Sequence, residues 1–163
     1  MTIYLFAYGS LINTKYNKQI NNNFFKKYIP VNVYNIKRYW IKSISTNNIY
    51  LDIKNDTNSI TNGILIEVDN DDLERLDIRE KYYTRKIIDK KLISFDYNIN
   101  LVFNNDDIIY SYFSDGNKII PYNFDRYNIQ CKTYLLECLE GCIYFGTEFF
   151  NNFIYTTDFS LRN

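Results

Sequence analysis

Histidine is absent from the 163 residues, and that absence removes whole classes of chemistry. Ser-His-Asp and Cys-His nucleophilic systems, and zinc or iron sites held by histidine, all need an imidazole. If this chain is an enzyme, its protons must move through carboxylate, amine, phenol or hydroxyl groups. An excess of charge is also lacking: Lys+Arg and Asp+Glu both number 19, and no basic stripe interrupts the balance. Nucleic acid is therefore not an expected partner, because a phosphate backbone demands such a stripe. Long hydrophobic runs are missing as well. The opening Met1 to Ser10 carries no basic n-region and no small-residue cleavage site, and its apolar stretch is too short to span a bilayer. It reads as a cytoplasmic start that opens directly on a strand, with no membrane partner.

Cysteines are few, and Cys131, Cys138 and Cys142 are odd in number and close together, a poor basis for a secreted disulfide framework. Asparagine, isoleucine, lysine and aromatic residues, including 17 Tyr and 12 Phe, are abundant beside only five Gly and two Pro. An AT-rich genome accounts for that bias, so a single Asn or Tyr carries little weight. The length suits one domain over residues 1–163 with one respectable core.

Residues 3–8 are apolar and aromatic and stop at Gly9-Ser10, the pattern of a buried strand running into a turn. Residues 13–28 read as a loop or short helix covering the sheet. Strands are expected over 31–44, 48–54 and 61–68, separated by Asn/Asp/Thr/Ser clusters that make hairpin turns, the spacing of an antiparallel meander. Asp69 to Asp72 is a run of capping and first-turn residues, with Leu73, Leu76 and Ile78 after it. A short helix should begin near Asp69 and place Glu80 just past its end. Further strands are expected over 83–95 and 108–113, with a hairpin connection around 104–107.

Cys131, Leu135, Cys138, Cys142, Phe145, Phe149 and Phe153 recur at steps of three and four, the stripe of a long C-terminal helix. Cysteines four and seven apart on one helix point the same way and do not readily bridge, and no second cluster completes a metal site, so they read as small core residues. Gly141 and Gly146 fall inside this helix at about 1 kcal/mol each relative to alanine; either the helix breaks near them or something approaches closely there. The architecture expected is α+β: a mainly antiparallel, partly closed β-barrel of about six strands, with helices around it and the long helix at the C-terminus.

A strand that ends in Tyr8-Gly9-Ser10-Leu11 delivers a tight turn whose backbone N–H groups converge, and glycine admits a ligand close to the backbone. Such a turn can hold a carboxylate or a developing oxyanion. Further on, the chain reads Gly63 to Val68, then Leu73-Glu74-Arg75-Leu76-Asp77-Ile78-Arg79-Glu80, then Tyr83-Thr84-Arg85. Tyr-Gly-Ser-Leu after a strand, a Gly-opened strand, a Leu-Asp-x-x-Glu helix end and a Tyr-x-Arg strand start, in that order, resemble the γ-glutamylcyclotransferase-like superfamily over most of residues 1–113. Asn35 to Trp40 is similar to the family's strand after its helical insertion, and Asp77 to Glu80 lies nearest the glutathione-degrading branch. Two departures bear on substrate choice: Lys81 stands where the family often has glycine, and the segment before Arg38 lacks the usual glycine.

The resemblance implies that Tyr8, Gly9, Ser10 and Leu11 form the substrate-binding loop, that Glu80 is the catalytic carboxylate, and that Tyr83 and Tyr112 border the pocket. Tyr110 competes with Tyr112 from the same strand face. It also implies a small-molecule γ-glutamyl substrate, such as glutathione, a γ-glutamyl amino acid or a γ-glutamylamine, and release of 5-oxoproline without cofactor or metal. By spacing alone, Glu80 reads as a solvated residue in a charge-laced helix end between Arg79 and Lys81, and it is the resemblance that favours the catalytic role. Arg79 and Arg85 are expected to pair with Asp77 and Glu80 rather than to bind substrate. The competing reading is a module that kept the pocket for a small metabolite or peptide end and lost turnover. A third is different acid/base chemistry in the aromatic pocket on an unrelated substrate such as a nucleotide.

Overall fold

The computed structural model describes residues 1–15, 27–95, 98–114, 116 and 118–160. Most of the segment expected to be a loop or short helix over 13–28 lies outside them. Strand β1 (Ile3–Ala7) is short and buried, and a 3-10 turn (Ser10–Ile12) follows it. Then come β2 (Tyr28–Ser43), β3 (Ile49–Val68), helix α1 (Asn70–Arg79), β4 (Tyr83–Ile87), β5 (Ile93–Ser94), β6 (Ile108–Ser114) and β7 (Ile119–Pro121). Helices α2 (Ile129–Tyr144) and α3 (Thr147–Thr156) complete the chain. The sheet order is β4-β6-β1-β3-β2-β5, with β7 also on β2. All pairings are antiparallel except β1 with β6.

The α+β architecture is as expected, but the barrel does not close. Its path ends at β4 and β5, and β5 is only two residues long, too short to carry a ladder across to β4. The two strands expected over 48–54 and 61–68 are one 20-residue strand, β3. The polar cluster 55–59, expected to make a hairpin turn, instead stays within the strand, with residues 56–59 forming a bulge. Tyr34 pairs with Ile60 and Ile36 with Asn55, so the partner strand passes the cluster with a single residue, Asn35, in the left-handed region at φ 60. The long strand expected over 83–95 stops at Ile87, because the Asp89 side chain accepts from Lys91 N and winds the chain into a 3-10 turn at Lys90–Leu92.

Helix α1 starts where its acidic run predicts. Asp69 caps Asp72 N at 2.8 Å and Asp72 returns a bond to Asp69 N at 3.0 Å, a reciprocal box that satisfies two orphan donors. The C-terminal stripe lies on one buried side, with Cys131, Cys138, Cys142, Phe149 and Phe153 fully covered and the three thiols free. Burial pushes the Cys142 thiol up to about 12. Both readings of the helix glycines are realised. At Gly141 a Cβ would lie 2.5 Å from Asn13 N, so α2 presses on the turn after β1 through a residue without a side chain. At Gly146, φ is +96° and the stripe breaks into two helices. No helix among the described residues is long and apolar enough to cross a membrane.

Candidate active site

The cavity follows from one short strand between two longer ones. Strand β1 stops at Ala7, whereas β3 and β6, its neighbours, continue past that level, and the chain leaving β1 turns aside at Tyr8 to Ile12. A gap opens between β3 and β6, and side chains brace it. Asp52 on β3 accepts from Ser114 N at 3.0 Å and from the Ser114 hydroxyl, and from the Tyr39 hydroxyl at 2.7 Å. The Tyr83 hydroxyl donates to Leu51 O at 3.3 Å, and the Tyr8 hydroxyl to Tyr112 O at 2.8 Å. Within this brace lies a cavity of about 290 Å³. Tyr8, Gly9, Ser10, Leu11, Glu80, Tyr83 and Tyr112 all line it, so the fold brings every sequence-predicted site residue together.

The turn itself is held from three sides. Ile12 N and Asn13 N bond back to Gly9 O and Ser10 O, both at 3.0 Å, and buried Arg38 donates to Tyr8 O at 3.1 Å. The Ser10 N–H points at the Tyr134 hydroxyl, a long contact at 3.4 Å. Gly9 is required by packing: a Cβ there would sit 2.6 Å from Tyr134 Oη. Gly9→Ala is therefore expected to displace the Tyr134 ring and raise KM for a ligand of this cavity by roughly tenfold, with thermal stability lowered by about 1–3 kcal/mol. Steady-state kinetics and a melting curve check both.

Glu80 ends α1 as its C-cap. Its N–H bonds to Leu76 O and its carbonyl accepts from Tyr83 N, each at 2.7 Å, so the main chain fixes where the side chain starts. The side chain is 20% exposed and pairs with Arg79 Nη1 at 3.0 Å. Burial raises the carboxyl above its ordinary value of 4.5, and the Arg79 guanidinium opposes that shift in part. A carboxyl so placed is a better proton shuttle near neutrality than a solvated one.

The arginines pair as the sequence led us to expect. Arg85 Nη1 stands 3.4 Å from Asp77, close enough for charge attraction but without hydrogen-bond geometry, and its guanidinium lies over the Tyr110 ring at 4.9 Å. Tyr110 is thereby engaged by Arg85, whereas Tyr112 faces the cavity and donates to Asp77 Oδ1 at 2.6 Å. Asp77 thus ties the last turn of α1 to β6. The hydroxyls of Tyr8, Tyr83 and Tyr112 all donate to protein acceptors, which leaves their oxygen lone pairs for a ligand. Burial pushes all three phenols upward, so they remain neutral.

Tyr134 and Tyr50 were missed by sequence reasoning. Tyr134 reaches the cavity from α2, more than 120 positions after the turn it touches. Its place three residues after Cys131 and four before Cys138, on the apolar stripe, was the available signal, and in a chain with 17 tyrosines that signal was faint. Asp52 was equally unmarked, an aspartate inside a strand-like run.

The family model described as gamma-glutamyl cyclotransferase, AIG2-like, matches residues 5–123. No curated protein matches the sequence. Among solved structures, one described as gamma-glutamyl cyclotransferase superposes with a TM-score of 0.67 at 12% identity, over 96% of this chain and 88% of its own. An uncharacterized protein from Homo sapiens gives 0.68 at 14% identity, over 95% and 88%. A yeast γ-glutamyl cyclotransferase specific to glutathione gives 0.56 at 11% identity, over 96% and 97%. At these identities the likeness carries the fold, and the family match, across well over half of the chain, carries membership: this chain belongs to the γ-glutamyl cyclotransferase, AIG2-like family.

Proposed function

We propose that the chain is a γ-glutamylcyclotransferase that needs no cofactor, with Glu80 as general acid/base and the Tyr8 to Leu11 turn as the substrate grip. The observation that carries the reading is the half-dry Glu80 carboxyl in the same cavity as the Gly9-Ser10 turn, brought together from 70 positions apart.

A γ-glutamyl amide contains its own nucleophile. The α-amine attacks the γ-carbonyl carbon, a C–N bond forms to close the five-membered ring, the original amide C–N bond breaks, and one proton passes from the α-amine through Glu80 to the departing amine. The reaction is intramolecular, and well-oriented intramolecular reactions reach effective molarities of about 10⁵–10⁸ M, so holding the substrate folded supplies much of the rate. The Ser10 N–H, now facing a neutral hydroxyl, is a donor for the γ-carbonyl oxyanion. The tyrosine lone pairs suit the N–H groups of the α-amine, which attacks in its neutral form. Formation of 5-oxoproline from a panel of γ-glutamyl amides tests the reading, and a folded protein that yields none from any of them refutes it.

The pH dependence has a definite sign. Glu80 acts first as a base, so activity needs its deprotonated form, and its raised pKa places the acidic limb of kcat/KM above 4.5, the ordinary glutamate value. The substrate α-amine, with a pKa of about 8, makes the rate climb further toward alkaline pH. A profile whose acidic limb lies at or below the ordinary glutamate range contradicts Glu80 as that base.

A further inference from the structure

A second cavity, of about 310 Å³, opens beside the site between the start of β3 and the first half of α2. The two cavities share Tyr50 and Tyr134 in their linings, whose rings meet edge-to-face with centroids 5.6 Å apart. The Tyr50 hydroxyl also accepts from Asn48 Nδ2 at 2.8 Å, which anchors that ring. Because the Ser10 N–H meets the Tyr134 hydroxyl, a carbonyl held at the turn has Tyr134 at its side, and the second cavity lies on the far side of that shared residue as room for a substituent on the amide nitrogen.

The second cavity has a distinct electrostatic character. Asn48, Gln130 and Thr133 offer neutral hydrogen-bonding groups, and Glu137 is the one charged side chain of the lining among the described residues. No ion pair engages Glu137 among those residues. In the first cavity the opposite charges of Arg79 and Glu80 already face each other. A carboxylate-ended tail emerging past Tyr134 would meet like charge with no cation among the described lining residues to offset it, whereas an ammonium would find a partner.

We propose that this second cavity is the subsite for the leaving amine, and that Glu137 makes the protein favour γ-glutamyl amides whose amine carries a cationic or neutral polar tail over those ending in a carboxylate. The proposal rests on the cyclotransferase reading above. It runs against the sequence likeness of Asp77 to Glu80 to the glutathione-degrading branch, since the amine released from glutathione is a dipeptide with a free carboxylate. That likeness concerns the helix that carries Glu80; Glu137 belongs to α2, beyond residue 123, where the family match ends.

The test is a matched series: the γ-glutamyl amides of 1,4-diaminobutane, butylamine and 4-aminobutyrate, which have the same backbone length and a tail charge of plus one, zero and minus one. With 5-oxoproline as readout, the wild-type ratio of kcat/KM for the diaminobutane amide over the aminobutyrate amide is expected to be about tenfold or more. The ratio should fall toward one in Glu137→Gln and below one in Glu137→Lys. Because it is a ratio within each variant, a general loss of activity or of folded fraction cancels. A wild-type ratio near one, or a ratio that neither variant changes, overturns the subsite while cyclisation continues. Absence of 5-oxoproline from all three amides overturns the cyclotransferase reading and the subsite with it.

Discussion

Glu80→Gln is expected to lower kcat for 5-oxoproline formation by about 10²–10⁴-fold, the range lost with a positioned general acid/base, while the protein stays folded and still binds its ligand. The substitution keeps the shape of the side chain and removes only the group that takes and returns the proton. The helix end survives because its contacts at Glu80 are main-chain bonds, to Leu76 O and from Tyr83 N. Arg79 loses its partner, but its side chain is 34% exposed and can turn to water at little cost. Stability should not fall at neutral pH. Burial raises the pKa of this carboxyl, so the folded chain holds the proton more tightly than the unfolded one. Wild-type stability therefore declines as pH rises from 4.5 through the folded-state pKa, a decline the glutamine variant lacks. Thermal melts at pH 4 and pH 7 beside single-turnover kinetics check both halves. Turnover that survives in Glu80→Gln would dismiss Glu80 as the proton shuttle, and ligand binding without turnover in the wild type would favour a non-catalytic module.

The second large effect is on stability, at Arg38→Ala. This guanidinium is fully buried, and its donors reach Thr157 Oγ1 at 2.8 Å, Tyr8 O at 3.1 Å, Asn62 O at 2.8 Å, Asn62 Oδ1 at 3.0 Å, Phe153 O at 2.9 Å and Thr156 Oγ1 at 2.8 Å. It also stacks on the Phe153 ring at 3.8 Å. Alanine would strip hydrogen bonds from three buried carbonyls at once and leave a large void, a loss of about 3–5 kcal/mol. For a chain of this size that lowers Tm by roughly 10 °C. Lysine keeps the charge but not the planar fork, so Arg38→Lys is expected to fall between the two. Activity should drop in the folded fraction as well, because Arg38 joins the Tyr8 carbonyl at the mouth of the site to the end of α3. A Tm within 2 °C of wild type in Arg38→Ala would show that this cluster does not hold the C-terminal helices to the sheet.

Much of the site was legible because it is built from local signals. A buried strand must stop where Gly9-Ser10 begins, and an acidic run that caps a helix at Asp69 puts Glu80 at its end within a residue or so, whatever surrounds it. The order of these two segments was enough to suggest a common pocket. The residues that were missed act across the fold. Asp52 looks like any polar residue in a strand until Ser114 is placed beside it, and Tyr134 looks like one more aromatic on a helix until Gly9 is found without room for a Cβ beneath its hydroxyl. Whether Tyr110 or Tyr112 faces the cavity was likewise undecidable from a strand in which both point the same way. Arg85 decides it by occupying Tyr110.

The sequence by itself determined which chemistry was open to this protein: without histidine, only carboxylate, amine, phenol or hydroxyl groups remain to move protons, and the acidic cap and apolar spacing of α1 place one carboxylate, Glu80, at the helix end. It also determined that the C-terminal cysteines and phenylalanines form one buried stripe, because helical periodicity is a property of the chain alone. Only the tertiary structure decided that residues 56–59 form a bulge and not a turn, since a polar cluster reverses a chain or merely kinks it according to what runs alongside, and here β2 does. Only the tertiary structure opened the cavity, because the gap exists where a five-residue strand ends between two that continue. The character of Glu80 came from there too. Its raised pKa is the result of desolvation by neighbours from distant parts of the chain, and no stretch of sequence around position 80 contains them.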